Sequence, residues 1–109
     1  MSKQILVDFY GCKSSSLNDI ELIKNVAREI VVKINSRIVE ESYHLFEPYG
    51  ITYIAIIAKS HIAIHTWPER EILALDVFSC DDNLPENFAE DMRKAFSAER
   101  YQVTVVNRL

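Results

Sequence analysis

The segment 59–69, KSHIAIHTWPE, places a serine, two histidines and a closing glutamate in a run that is otherwise mostly apolar. Hydroxyl, imidazole and carboxylate groups are the side chains that nucleophilic and proton-transfer chemistry uses. If the run is a strand, His61 and His65 share one face and Ser60 points to the other. The two histidines then stand roughly 13 Å apart, too far to bind one metal ion without other ligands. Spacing alone leaves a reactive site and ordinary surface or dimer-face side chains both open.

The composition narrows the function classes. The chain has 109 residues, a formal charge of −4 and a pI near 5.3, which argues against a nucleic-acid or membrane-surface role because those partners favour a basic face. No apolar run resembles a signal peptide or reaches transmembrane length. Cys12 and Cys80 lie far apart without CxxC spacing, which favours reduced thiols. We therefore expect a cytoplasmic protein with a single domain, 1–109.

Hydrophobic periodicity predicts the elements that must position these side chains. Apolar residues alternate in strands and recur every three or four positions in helices. On this basis we predict strands at 3–10, 37–46, 51–58, 61–67, 72–78 and 101–106, a helix at about 18–34, and a second helix that opens at 82–85. The order β-α-β-β-β-β-α-β predicts an α+β fold, a two-layer α/β sandwich in which a mainly antiparallel sheet carries two helices on one face. The uncovered face predicts a homodimer.

The segment 59–69 resembles the signature of prokaryotic S-adenosylmethionine decarboxylase proenzymes, which is usually E-S-H-[IL]-[ST]-I-H-T-W-P-E. The resemblance continues, collinear and without large gaps, over nearly the whole chain. It includes LVDFYGC (residues 6–12), LNDIELI (17–23), YHLFEPYGIT (43–52) and ALDVFSC (74–80).

The resemblance implies that the chain cleaves itself and makes its own cofactor. The Ser60 hydroxyl would attack the carbonyl of Lys59, and the resulting ester would eliminate and hydrolyse to a pyruvoyl group. The products would be a β chain, 1–59, and an α chain that starts with the pyruvoyl group, 60–109. His65 would transfer protons during processing, and Thr52 would be the processing hydroxyl.

The resemblance also implies a reaction and a substrate. The pyruvoyl carbonyl would form a Schiff base with the amine of S-adenosylmethionine (AdoMet) and withdraw electrons as CO₂ leaves. The decarboxylated product would supply aminopropyl groups for spermidine. Cys80 would donate the proton that replaces the carboxylate. Phe46 would stack on adenine, and Trp67 and Glu69 would complete the substrate site. No metal is implied, and family sites form across a dimer.

Six positions, at four places in the chain, depart from the family pattern. Lys59 stands where glutamate is usual, Arg70-Glu71-Ile72 replaces Y-G-Y, Asp81 replaces glycine, and Gln4 replaces histidine. Relatives of this fold decarboxylate arginine or ornithine, so either amino acid is an alternative substrate. An unprocessed, non-catalytic dimeric homologue is the other alternative, motivated by Lys59.

Overall fold

A six-stranded sheet is the centre of the structure, a computed structural model that describes residues 2–80 and 87–109. The strands are β1 (Lys3–Tyr10), β2 (Ile38–Leu45), β3 (Ile51–Ile57), β4 (Ser60–Trp67), β5 (Ile72–Ser79) and β6 (Arg100–Asn107). In the described part of the chain they make one sheet in the order β2-β3-β4-β5-β1-β6, and every neighbouring pair is antiparallel. The predicted α+β class and antiparallel sheet are confirmed.

The helices are α1 (Ser14–Leu17), α2 (Ile20–Lys33) and α3 (Phe88–Ala95), and a 3-10 turn spans Pro68–Arg70. Helix α2 begins where the side chain of Asp19 accepts a hydrogen bond from the backbone N–H of Leu22. The short helix α1 lies between the predicted strand 3–10 and the predicted helix at 18–34, where we predicted no element. The predicted opening of the second helix, 82–85, falls outside the described residues. None of the helices described is long and apolar enough to span a membrane.

The core lies between one face of the sheet and helices α2 and α3. Alternate strand residues point into it, as the period of two requires. From β1 to β5 the fully or almost fully buried strand residues include Ile5, Val7, Phe9, Tyr53, Ile62, Ile64, Leu75 and Val77. In β1 the buried side consists of Ile5, Val7 and Phe9, which alternate along the strand.

The opposite face of the sheet carries no helix among the described residues. Ile54, Ile56 and Val106 lie on this face and remain 40–49% exposed. Thr52 and His65 lie on it as well, because they pair with each other across β3 and β4. We call it the uncovered face. It brings apolar surface and candidate site residues together.

Candidate active site

The turn Ala58–Lys59 joins β3 to β4 at the start of the segment 59–69. Ile57 and Ser60 pair directly, so the turn has only two residues. Lys59 has φ 64°, in the left-handed region that non-glycine residues enter at a cost of about 1 kcal/mol or more. Its side chain is exposed. The backbone between Lys59 and Ser60 is therefore held in a strained turn.

Cys80 contacts both residues of this peptide bond. The antiparallel pairing of β4 and β5 brings the end of β5 beside the start of β4, and Cys80 follows β5 directly. The Cys80 thiol donates a hydrogen bond to the carbonyl oxygen of Lys59 at 3.3 Å. The backbone N–H of Cys80 donates to Ser60 Oγ, also at 3.3 Å. We call Lys59, Ser60 and Cys80 the junction cluster.

A cavity of about 410 Å³ opens beside the junction cluster. It is lined by Ile34, Asn35, Ser36, Ala58, Lys59, Ser60, Ser79 and Cys80. None of these described lining residues is a histidine or a carboxylate. Among the residues that the structure describes, the junction cavity therefore has the Ser60 hydroxyl and two hydrogen-bond donors from Cys80, but no imidazole or carboxylate in its lining.

The second group of predicted site residues lies at the other end of β4. Thr52 Oγ1 and His65 Nδ1 are 3.2 Å apart, within hydrogen-bond distance. The ring of Trp67 stacks on that of His65, with centroids 6.2 Å apart. His61 shares the face of His65, as predicted, but its ring stacks on Phe78 instead. His65 is therefore paired with Thr52, the other residue that the resemblance assigns to processing.

Phe46, Trp67 and Glu69 join Thr52 and His65 around a cleft of about 250 Å³. We call these five residues the cleft cluster. Phe46 and Trp67 are 50% and 38% exposed, so their rings are available to a ligand. Tyr49 also lines the cleft, and the sequence analysis missed it. Tyr49 lies three residues after Phe46 in the sequence, and this closeness to a predicted substrate-binding residue could have indicated it.

The replacement of Y-G-Y leaves the backbone beside the cleft in a glycine-like conformation. Glu71 occupies the position of the glycine and has φ 57°, in the left-handed region. It caps the 3-10 turn that carries Glu69. The turn is therefore formed without the glycine, at a conformational cost of about 1 kcal/mol.

The two clusters do not meet within one chain. Ser60 and His65 are five residues apart along one continuous strand, a separation of roughly 17 Å. The structure therefore brings Ser60 together with Cys80, and His65 together with Thr52, Phe46, Trp67 and Glu69. It does not bring His65 to Ser60.

Comparisons with known proteins find the same family over nearly the whole chain. A family model described as S-adenosylmethionine decarboxylase matches residues 3–109. The S-adenosylmethionine decarboxylase proenzyme of Acidithiobacillus ferrooxidans is 38% identical, covering 99% of this chain and 82% of that protein. The proenzyme of Thermoanaerobacter sp. strain X514 is 35% identical, with 99% and 88% covered. The crystal structure of the adenosylmethionine decarboxylase from Aquifex aeolicus superposes with a TM-score of 0.85 at 29% identity, covering 99% of this chain and 90% of that one.

Proposed function

The chain belongs to the S-adenosylmethionine decarboxylase family and is a decarboxylase; from this premise we propose that it acts on AdoMet with a pyruvoyl group made from its own Ser60. The observation that carries the proposal is the junction cluster. A serine hydroxyl and the preceding carbonyl are both held by Cys80 in a strained two-residue turn. A pyruvoyl group supplies a carbonyl that holds the substrate amine and accepts the electrons released with CO₂.

Maturation begins with attack of Ser60 Oγ on the carbonyl carbon of Lys59. The C–N bond breaks, the hydroxyl proton passes to the nitrogen of Ser60, and an ester joins Lys59 to Ser60 Oγ. Loss of the Cα proton of Ser60 expels the Lys59 carboxylate and leaves dehydroalanine. Addition of one water releases ammonia and leaves the ketone at position 60. The reacting group of Lys59 is its carbonyl, so the lysine side chain, which is exposed, does not block the step.

Cys80 supports the attack in two ways. Its thiol donates to the oxygen on which negative charge grows as Ser60 Oγ attacks, and such donors lower the barrier. Its backbone N–H donates to Ser60 Oγ and holds that oxygen beside the same peptide. After cleavage the thiol remains next to residue 60. This position suits the proton donor of decarboxylation.

His65 and Thr52 serve the junction cluster of a second copy. The clusters lie roughly 17 Å apart on one strand, so one chain cannot use both on one reacting centre. Two copies that pack their uncovered faces around a two-fold axis can place the cleft end of one sheet at the junction end of the other. The exposed Ile54 and Ile56 give this interface apolar surface. Two equivalent sites per homodimer result.

The cleft favours AdoMet over arginine or ornithine. Phe46, Tyr49 and Trp67 offer aromatic faces, which can stack on adenine and attract the sulfonium cation. Glu69 lines the same cleft and can accept hydrogen bonds from ribose hydroxyls. Free arginine and ornithine lack a nucleoside to occupy such walls.

Intact-mass measurement of the purified protein tests the maturation step. We expect two fragments divided between Lys59 and Ser60, with an α chain that has no free amino terminus, and release of labelled CO₂ from carboxyl-labelled AdoMet. Ser60→Ala should remain one chain and release none. Ser97→Ala, at an exposed serine in the turn after α3, is the matched control and should be cleaved.

Three results would contradict the proposal. Fragments formed by Ser60→Ala would exclude Ser60 as the nucleophile. Turnover of arginine or ornithine without turnover of AdoMet would support an amino-acid decarboxylase instead. A wild-type chain that stays whole after long incubation would support the non-catalytic homologue.

A further inference from the structure

One wall of the cleft is held by a side chain from outside it. Asn18 lies between α1 and α2, and its Oδ1 accepts a hydrogen bond from the backbone N–H of Gly50 at 3.0 Å. Gly50 in turn accepts from the backbone N–H of Phe46 at 2.8 Å, closing the loop that presents Phe46 and Tyr49. Asn18 therefore fixes the end of the loop that bears two aromatic walls.

A second connection joins the same two stretches of chain through Thr66. The hydroxyl of Thr66 accepts from the N–H of Ile51 at 3.0 Å and donates to the carbonyl of Leu17 at 2.8 Å. The chain at 17–18 is thus bound to the chain at 50–51 both directly and through Thr66.

The same short segment also holds the opposite wall. The hydroxyl of Ser14, the first residue of α1, donates to the carbonyl oxygen of Pro68 at 2.5 Å. Pro68 begins the 3-10 turn that carries Glu69. A second cavity of about 350 Å³ lies between these contacts and shares Tyr49 and Glu69 with the cleft.

We propose that Ser14 and Asn18 are positioning residues that set the separation between the aromatic wall and the Glu69 wall of the AdoMet cleft. They touch neither the junction cluster nor any group of the cleavage reaction. The inference rests on the proposed function for the identity of the ligand. It goes further by assigning substrate affinity, separately from maturation, to the segment 14–18.

Asn18→Ala tests the proposal because it removes the oxygen that accepts the hydrogen bond from the backbone N–H of Gly50. We expect the KM for AdoMet to rise about three- to tenfold, the effect of losing one ordinary hydrogen bond. The cleavage time course and kcat should stay within about twofold of wild type, since the contact of Asn18 is with the backbone of Gly50 and leaves the pair Thr52–His65 in place. Asn18→Asp retains an oxygen that accepts from Gly50 and should restore the KM.

Trp67 gives a readout that needs no turnover, because it is the single tryptophan of the chain and lies in the cleft. We expect acrylamide to quench its fluorescence more strongly in Asn18→Ala than in wild type, with Asn18→Asp close to wild type. Asn25→Ala is the matched control. Asn25 is another exposed asparagine with one side-chain contact, to Arg28 at 3.2 Å on α2, and its loss should leave KM and quenching unchanged.

Unchanged KM and unchanged quenching in Asn18→Ala would overturn the inference, as would an Asn18→Asp variant that behaves like the alanine variant. Both results are compatible with normal cleavage and decarboxylation by wild type. An uncleaved or inactive wild-type chain, in contrast, would count against the proposed function, and the Trp67 measurement would still decide the role of Asn18.

Discussion

The two ends of β4 are built for different tasks. At the junction end each hydrogen bond involves a backbone group. The Cys80 thiol donates to the carbonyl oxygen of Lys59, and the backbone N–H of Cys80 donates to Ser60 Oγ. At the cleft end they run between side chains, with His65 beside Thr52 and aromatic rings exposed around them. The cavity at the junction end is lined by the Ser60 hydroxyl but, among the described residues, by no imidazole or carboxylate; the cleft end is lined by the imidazole of His65 and the carboxylate of Glu69.

Among the described residues, neither end has all the groups that the proposed reactions use. A strand is rigid along its length, so no rotation of side chains closes a gap of roughly 17 Å. In the proposed function the two ends therefore come from two copies whose strands run in opposite directions. The proposed dimer takes part in the chemistry, in addition to covering apolar surface.

The largest expected effect comes from combining two inactive variants. We expect Ser60→Ala and His65→Ala each to lack activity when expressed alone. Co-expressed with different tags and purified through both, the mixed dimer has one site with both residues and one with neither. It should show about half the activity of wild type, because one of its two sites is complete. Labelled CO₂ release measures this directly.

The matched control is the double variant Ser60→Ala/His65→Ala paired with wild type. It places both changes on one chain, so each site loses one residue if the sites are shared between copies. An active control with an inactive mixed dimer would show that both residues act within one chain and would overturn the argument from distance.

A smaller effect is expected at the junction alone. The family resemblance assigns Cys80 to proton donation after cleavage, whereas its contact with the Lys59 carbonyl gives it a task before cleavage as well. Cys80→Ala should slow the cleavage time course and lower turnover of the cleaved protein by about a hundredfold, the usual scale for a lost general acid. Cys80→Ser retains a donor and should cleave faster than Cys80→Ala. Normal cleavage in Cys80→Ala would show that Cys80 has no task before cleavage, and only its role as proton donor in decarboxylation would then stand.

The fold was predictable from the sequence because its signals are local. Period-two alternation in β1 and period-3.6 recurrence in α2 each follow from one segment. Helix α1 was missed because four residues rich in serine have weak helical preference. It forms beside the 3-10 turn, where the Ser14 hydroxyl binds Pro68, a contact 54 residues away along the chain.

The sequence predicted which residues belong to the candidate site, but it did not predict how they are arranged. The motif identified Ser60, His65 and Cys80, but the predicted strand began at residue 61 and left the position of Ser60 relative to His65 open. The gap between Ser60 and His65 became apparent from the continuous strand Ser60–Trp67. The contact between Cys80 and Lys59 likewise depends on the β4–β5 register, which no single segment specifies.

The smallest expected effects concern the two cysteines, one at each end of β4, which differ in burial. Cys80 is exposed at the junction end, whereas Cys12 is fully buried beneath the cleft end, where its N–H donates to the carbonyl of Glu71 at 2.9 Å. Burial, and secondly the charge of Glu71, raise the pKa of the Cys12 thiol from 9.0 to about 11. One thiol per native chain, that of Cys80, should therefore react with a thiol reagent at pH 8.

The same shift makes the stability of the fold depend on alkaline pH. Because the folded pKa of Cys12 lies above the unfolded pKa, its contribution is complete below pH 9 and is lost as the pH rises through about 11. The loss is at most about 2–3 kcal/mol in the free energy of unfolding. Burial and a hydrogen bond to Glu41 also raise the pKa of Tyr53, which ordinarily titrates near 10, so the window between pH 9 and 10 reports mainly on Cys12. Urea unfolding of Cys12→Ala should show a flatter pH dependence there than wild type, even though the smaller side chain lowers stability at every pH. An equal decline in both proteins would mean that the Cys12 thiol does not cause the alkaline loss.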